Sequence, residues 1–276
     1  MSRSIIIVVA VLAIIALAAL AFAVFRTPEE ASAPITAATL TIETSQPVVA
    51  ATEPATAAPE PTVAPAATEP AADPTATLAE EATAVPEATA TTAPAAVAAP
   101  AIFEIIQAES EARFIIDEVL RGSPVTVVGV TDQVAGQIAI DPASPAATQL
   151  GEVRVNARTL ATDNDFRNRA IKNQILDTNT YEFVSFQPTE MVDLPETATV
   201  GQPFTFQVVG DLTIRDVTQQ VTFEVTVTPV SGSRIEGLAT TTFPYRDFGL
   251  AIPDAPSVDT VADDVTLELE FVAVAE

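Results

Sequence analysis

The chain of 276 residues contains no cysteine and no histidine. Without cysteine there is no disulfide, no thiol nucleophile and no thiolate metal site. A lipidated N-terminal Cys is excluded as well, so any anchor must be made of protein. Without histidine, Ser-His-Asp relays, Cys-His pairs and His-based zinc sites are excluded. Basic residues are scarce too: 12 Lys and Arg stand against 37 Asp and Glu, for a net charge of −25. Such a chain repels phosphate backbones, so nucleic acid is not an expected partner. An anionic bilayer repels it also, unless it is held there covalently. Self-repulsion favours solubility and a monomer.

Charge and bulk are unevenly spread. Arg3 and Arg26 contribute +2, residues 27–100 carry ten acids and no base, and residues 101–276 carry a net −17. Residues 5–25 form an apolar run between those two arginines. As a helix it spans a hydrocarbon core of about 30 Å. Ala19-Leu20-Ala21 and Ala21-Phe22-Ala23 suit a signal-peptidase site, which is the rival reading. The run exceeds the usual signal core, so residues 1–26 are expected to be a retained single-pass anchor. Arg3 and the amino terminus, against Arg26 followed by Glu29 and Glu30, orient the N-terminus to the cytoplasm. The remainder then lies on the extracytoplasmic side of the cell membrane.

Residues 27–100 are Ala, Pro, Thr and Glu. Pro54, Pro59, Pro61, Pro65, Pro70 and Pro74 interrupt any helix or ladder, and little apolar bulk offsets ordering entropy. The segment reads as a disordered linker, a tether of about 50 Å mean span.

From Ile102 the period becomes two. Phe204, Phe206 and Val208 alternate with Thr205 and Gln207. Val221, Phe223, Val225 and Val227 alternate with Thr222, Glu224 and Thr226. Val265, Leu267, Leu269 and Phe271 alternate with Thr266, Glu268 and Glu270. Ala112, Phe114 and Ile116, then Val153 and Val155, follow the same rule. These are strands with one wet and one buried face. A helical interlude covers Asp163 to Ile175, with Asp163 as its N-cap. The fold class is all-β: an antiparallel sandwich or barrel of about eight strands with one short helix. An eight-stranded barrel has an interior that side chains fill or that holds one small ligand.

Three stretches narrow the choice. Gly210-Asp211-Leu212-Thr213-Ile214-Arg215-Asp216-Val217-Thr218 resembles a hairpin of the YceI-like family. Arg246-Asp247-Phe248-Gly249-Leu250 resembles its segment after the penultimate strand. Ser110 through Phe114, then Gly136-Gln137-Ile138-Ala139-Ile140-Asp141, resembles its opening. The resemblance covers residues 102–274. It implies a lipocalin-like barrel with an apolar tunnel, an exported location and, for some members, a polyisoprenoid ligand. The family's helix carries an Asp and a His where this chain has Asn168 and Ala170, so a role resting on that His does not transfer. Arg167 stands at the matching place.

Candidate tunnel-lining residues are Phe114, Ile116, Val155, Phe183, Phe206, Val208, Phe223 and Leu269. The alternative is that they only fill the barrel. Arg167 and Arg169 are candidate head-group ligands, since a guanidinium fork matches phosphate oxygens; pairing with Asp163 or Asp165 is the competing role. Asp163-Asn164-Asp165 opens like a calcium loop, but Asn168 and Gln174 stand where Gly and Glu are required. No metal, no cofactor and no catalytic residue are expected. An enzyme here would need paired carboxylates, and no pair is marked by spacing. Two readings remain: a membrane-tethered carrier of an apolar lipid such as a polyisoprenoid, or a ligandless interaction module displayed on a stalk.

Overall fold

The computed structural model describes residues 26–32, 34–40, 100–141 and 144–275. The apolar run 5–25 and residues 41–99 of the linker lie outside the described residues. No described helix is long and apolar enough to cross a membrane.

The period-two segments are strands. In chain order they are β1 (Ala101–Ile105), β2 (Glu111–Leu120), β3 (Ser123–Thr131), β4 (Val134–Ala135), β5 (Gln137–Ile140), β6 (Gln149–Leu150) and β7 (Val153–Asn156). After the helical interlude come β8 (Phe183–Val192), β9 (Phe204–Ile214), β10 (Val217–Ser231), β11 (Arg234–Pro244), β12 (Val258–Val261) and β13 (Asp264–Ala275). All belong to one sheet, and every pairing is antiparallel.

The sheet curls. From β7 it runs through β8, β9, β10 and β11 to β13. There β13 splits its partners. Its first half pairs with β2, Thr266 opposite Ile115, and its second half with β1, Ala275 opposite Phe103. β2 pairs with β3, and β4 continues β3 after a two-residue break. β4 returns to β7 through Val134↔Val155 and Ala135↔Arg154. The curl turns one face of each strand inward. Its core includes Phe103, Val134, Val208, Leu212, Val225, Phe248 and Phe271.

The β9–β10 hairpin turns on Arg215 and Asp216, between the pair Ile214↔Val217. Arg215 takes φ 59°, the positive value that such tight connections require. The resembling motif thus has a structural cause.

The interlude is a helix of two kinds: α1 (Asp165–Ala170), then a π-helical turn (Ile171–Ile175). Its N-cap is Asn164, not Asp163. The Asn164 side chain accepts from the backbone N–H groups of Phe166 and Arg167. Asp163 instead pairs with Arg167 one turn on.

Residues 26–40 run along the outside of this domain. Arg26 pairs with Asp177 at 2.9 Å, and its carbonyl accepts from Asn173 Nδ2 at 2.8 Å. The Glu29 backbone N–H donates to Asn179, and the Glu29 carboxylate meets Arg158 at 3.1 Å. Ser32 donates through both N–H and Oγ to Glu182 Oε1, each at 2.7 Å. Ile35 is buried, and its carbonyl accepts from Gln107 at 2.6 Å. Leu40 lies against Gly151 and donates its N–H to Gln137 Oε1. We call this segment the strap.

Candidate functional site

The inward faces do not meet at the centre. They enclose an apolar cavity of about 470 Å³, within the range usual for small-molecule sites. Its wall comes from alternate residues: Phe114 and Ile116 of β2, Val155 of β7, Phe206 and Val208 of β9, Phe223 of β10 and Leu269 of β13.

Three wall aromatics rest on glycines. A Cβ added to Gly129 would lie 2.1 Å from the ring of Phe114, its cross-strand partner. Gly237 has the same relation to its partner Phe271, and Gly210 lies under the ring of Phe186, two residues from its own partner Pro188. Each missing side chain lets a ring lie flat on the strand, which turns a gap in the sheet into wall. Phe186 then meets Phe223 edge to face at 4.9 Å.

The two ends differ. At one, Ile171, Ile175 and Leu176 of the helical interlude close the cavity, with Tyr245, Leu250 and Ile252 beside them. At the other, the connection from β8 to β9 contributes Leu194, Pro195, Ala198 and Val200. Val200 stays 59% exposed there, so this end has an apolar rim open to water.

Charge enters the wall at the helical end. Arg167 points inward, and Nη2 meets Glu118 at 2.8 Å while Nη1 meets Asp163. Glu118 is buried. A carboxylate so enclosed needs its partner, since a lone buried charge is costly.

Comparison with known proteins fits this geometry. The YceI-like domain model matches residues 103–273. The chain belongs to the YceI-like family. Among solved structures it is similar to a polyisoprenoid-binding domain from Saccharophagus degradans implicated in plant cell wall breakdown. That match has 16% identity and a TM-score of 0.51, covering 64% of this chain and 99% of that one. BcnA of Burkholderia cenocepacia is similar at 21% identity and a TM-score of 0.50, over 62% of this chain and 99% of that one. No curated protein matches.

The YceI-like barrel places the candidate residues as follows. Phe114, Ile116, Val155, Phe206, Val208, Phe223 and Leu269 all face the cavity. Phe183 does not. It sits on the outer face of β8, where the Arg154 guanidinium covers its ring at 4.1 Å. Phe183 and Phe186 are an odd number of residues apart, so one strand cannot turn both inward. Of the two head-group candidates, Arg167 reaches the cavity and Arg169 does not; Arg169 lies 6.0 Å from the ring of Phe166. Sequence reasoning did not mark the end pieces. Ile171 and Ile175 stand four apart on the interlude, a spacing that signals a buried helical face. Residues 194–200 have no period and gave no signal.

Proposed function

We propose that this YceI-like protein is a membrane-tethered, extracytoplasmic carrier of an apolar lipid chain, such as a polyisoprenoid. The observation that carries the reading is the apolar cavity walled by Phe114, Phe186, Phe206 and Phe223. A chain within it is desolvated along its length, at about 0.8 kcal/mol per buried CH₂. Micromolar affinity needs about 8 kcal/mol, so about ten such groups suffice before the cost of association, which favours a longer chain. The polar head lies at the helical end, beside Arg167 and Glu118. The polyisoprenoid-binding neighbour supports the choice of ligand class, and the apolar run 5–25 supports the tether.

Native mass spectrometry of the full chain, followed by solvent extraction and lipid identification, tests the reading. The expected result is a bound apolar mass, lost when Val208→Asp puts a charge into the wall. A bare protein that also ignores isoprenoids supplied in micelles would favour a ligandless interaction module.

A further inference from the structure

The domain is acidic as a whole, but its bases are gathered. Residues 154–176 hold Arg154, Arg158, Arg167, Arg169 and Lys172 against Asp163 and Asp165 only. Five of the ten bases of residues 101–276 therefore fall in 23 residues with a net +3. Arg169, Lys172 and nearby Arg215 form no ion pair among the described residues. Arg215 only donates to the Ile175 carbonyl and lies over Tyr181.

On the same element, Phe166 is 74% exposed, the most exposed large apolar side chain among the described residues. Phe166, Arg169 and Asn173 recur at helical spacing and share a stripe. Arg167, Ile171 and Ile175 form the opposite stripe, which closes the cavity. One short helix thus has an inner face toward the candidate ligand and an outer face that carries Phe166 and Arg169.

The chain enters the domain at that outer stripe. Asn173 and Asp177 hold Arg26 at 2.8 and 2.9 Å, and Arg26 directly follows the apolar run 5–25.

We propose that the helical end of the barrel, with Phe166 and Arg169 foremost, is the face that docks on the bilayer. This rests on the tethered-carrier reading and deepens it. The strap binds at the point where the chain leaves the membrane, so the barrel sits on the bilayer and not at the far end of a stalk. The closed end of the cavity, with Arg167 and Glu118, then faces the headgroups, and the open rim at Leu194 and Val200 faces away from them. Asp216 of the β9–β10 turn and Asp247 and Asp263 beside Tyr245 stand at the same end, so the contact rests on Phe166 and on Arg169, unpaired among the described residues, and not on net charge. Both flanks of residues 41–99 are fixed to one domain, at Leu40 near Gln137 and at Ala101 opposite Ile140. Residues 41–99 therefore set no distance between the anchor and the barrel.

The absence of native cysteine permits single-site labelling. The full chain is reconstituted in phosphatidylcholine–phosphatidylglycerol vesicles, with an environment-sensitive fluorophore at Asp165→Cys or, at the opposite end, at Ser233→Cys. Quenching by lipids brominated near the headgroup is the readout. The expected result is a label at 165 that loses most of its fluorescence and one at 233 that keeps it. Adding Phe166→Asp and Arg169→Glu to the first variant restores the signal. Equal exposure of both labels, in a chain that stays with the vesicles through alkaline carbonate, overturns the docking face and leaves the tether standing. Loss of the chain from the vesicles overturns the tether, and docking with it. A label at 165 shielded from brominated lipid but responsive to protein density makes the face a contact between copies, which also overturns the proposal.

Discussion

At residue scale the glycines beneath the aromatic rings are the sharpest test of the wall. Ala at position 237 would bring a methyl within 2.5 Å of the Phe271 ring and 2.9 Å of the Thr226 carbonyl. The ring must move into the cavity, at a cost of about 1–3 kcal/mol. Gly232→Ala meets nothing within 4 Å and is expected to stay within about 0.5 kcal/mol of the parent. Urea denaturation of the two variants compares them directly. The Arg167–Glu118 pair behaves differently. Arg167→Met strands a buried carboxylate and is expected to cost about 3 kcal/mol. Adding Glu118→Leu should recover most of that loss, because two apolar groups replace two charges. A double variant no more stable than the single one would show that the pair is not what Arg167 contributes. Glu182 offers a pH test. Burial pushes its carboxyl upward, but hydrogen bonds from Ser32 and Asn156 and the charge of Arg158 hold it below the usual range. A lowered carboxyl stabilises the fold fully above its ordinary value of 4.5 and loses that contribution as pH falls through the folded value. The strap should therefore loosen below the ordinary carboxylate range. An NMR titration of the Ser32 amide would show this, and Glu182→Gln should remove the dependence. A midpoint at the ordinary value would mean the contact is not formed in solution.

At the scale of elements, the helical interlude owes its start to one side chain. Asn164 satisfies two N–H groups that a helix start leaves free. Asn164→Ala is expected to cost about 1 kcal/mol, with amide exchange rising first across residues 165–170. Uniform change across the domain would show that α1 does not open by itself. The strands were legible because alternation is a local property: a residue's face follows from parity along the strand. That is why Phe206, Val208, Phe223 and Leu269 could be placed on the cavity wall from their neighbours alone. Phe183 was assigned to the same wall, but it begins β8 and has strand neighbours on one side only. Parity allowed Phe183 or Phe186 to face inward, not both, and the pairs Asn156↔Phe183 and Val155↔Val184 go with Phe186 inside.

At the scale of the whole molecule, the strap changes what the Ala/Pro/Thr segment does. Residues 41–99 join two points on one body, so their length enters the loop-closure entropy of strap docking. Shortening them to about 15 residues removes about two doublings of length and should stabilise docking by about 1 kcal/mol. Hydrogen exchange at Ser32 and Leu40 measures it. A segment that served only as a spacer would leave those amides unchanged.

The sequence by itself determined the all-β class, the inward faces of the long strands, the family motifs, and the exclusion of thiol and imidazole chemistry. These depend on residue identity and on parity over a few neighbours. Only the tertiary structure decided that residues 194–200 and the π-helical turn close the cavity, that Arg167 is engaged by Glu118, and that residues 26–40 lie on the barrel. Those outcomes join groups about 50 to 150 positions apart, as in Arg167 with Glu118 and Arg26 with Asp177. The strap has no apolar period and buries few side chains, of which Ile35 is one. It is held by hydrogen bonds and ion pairs to whatever the folded surface presents, and that surface exists only after the sheet has curled.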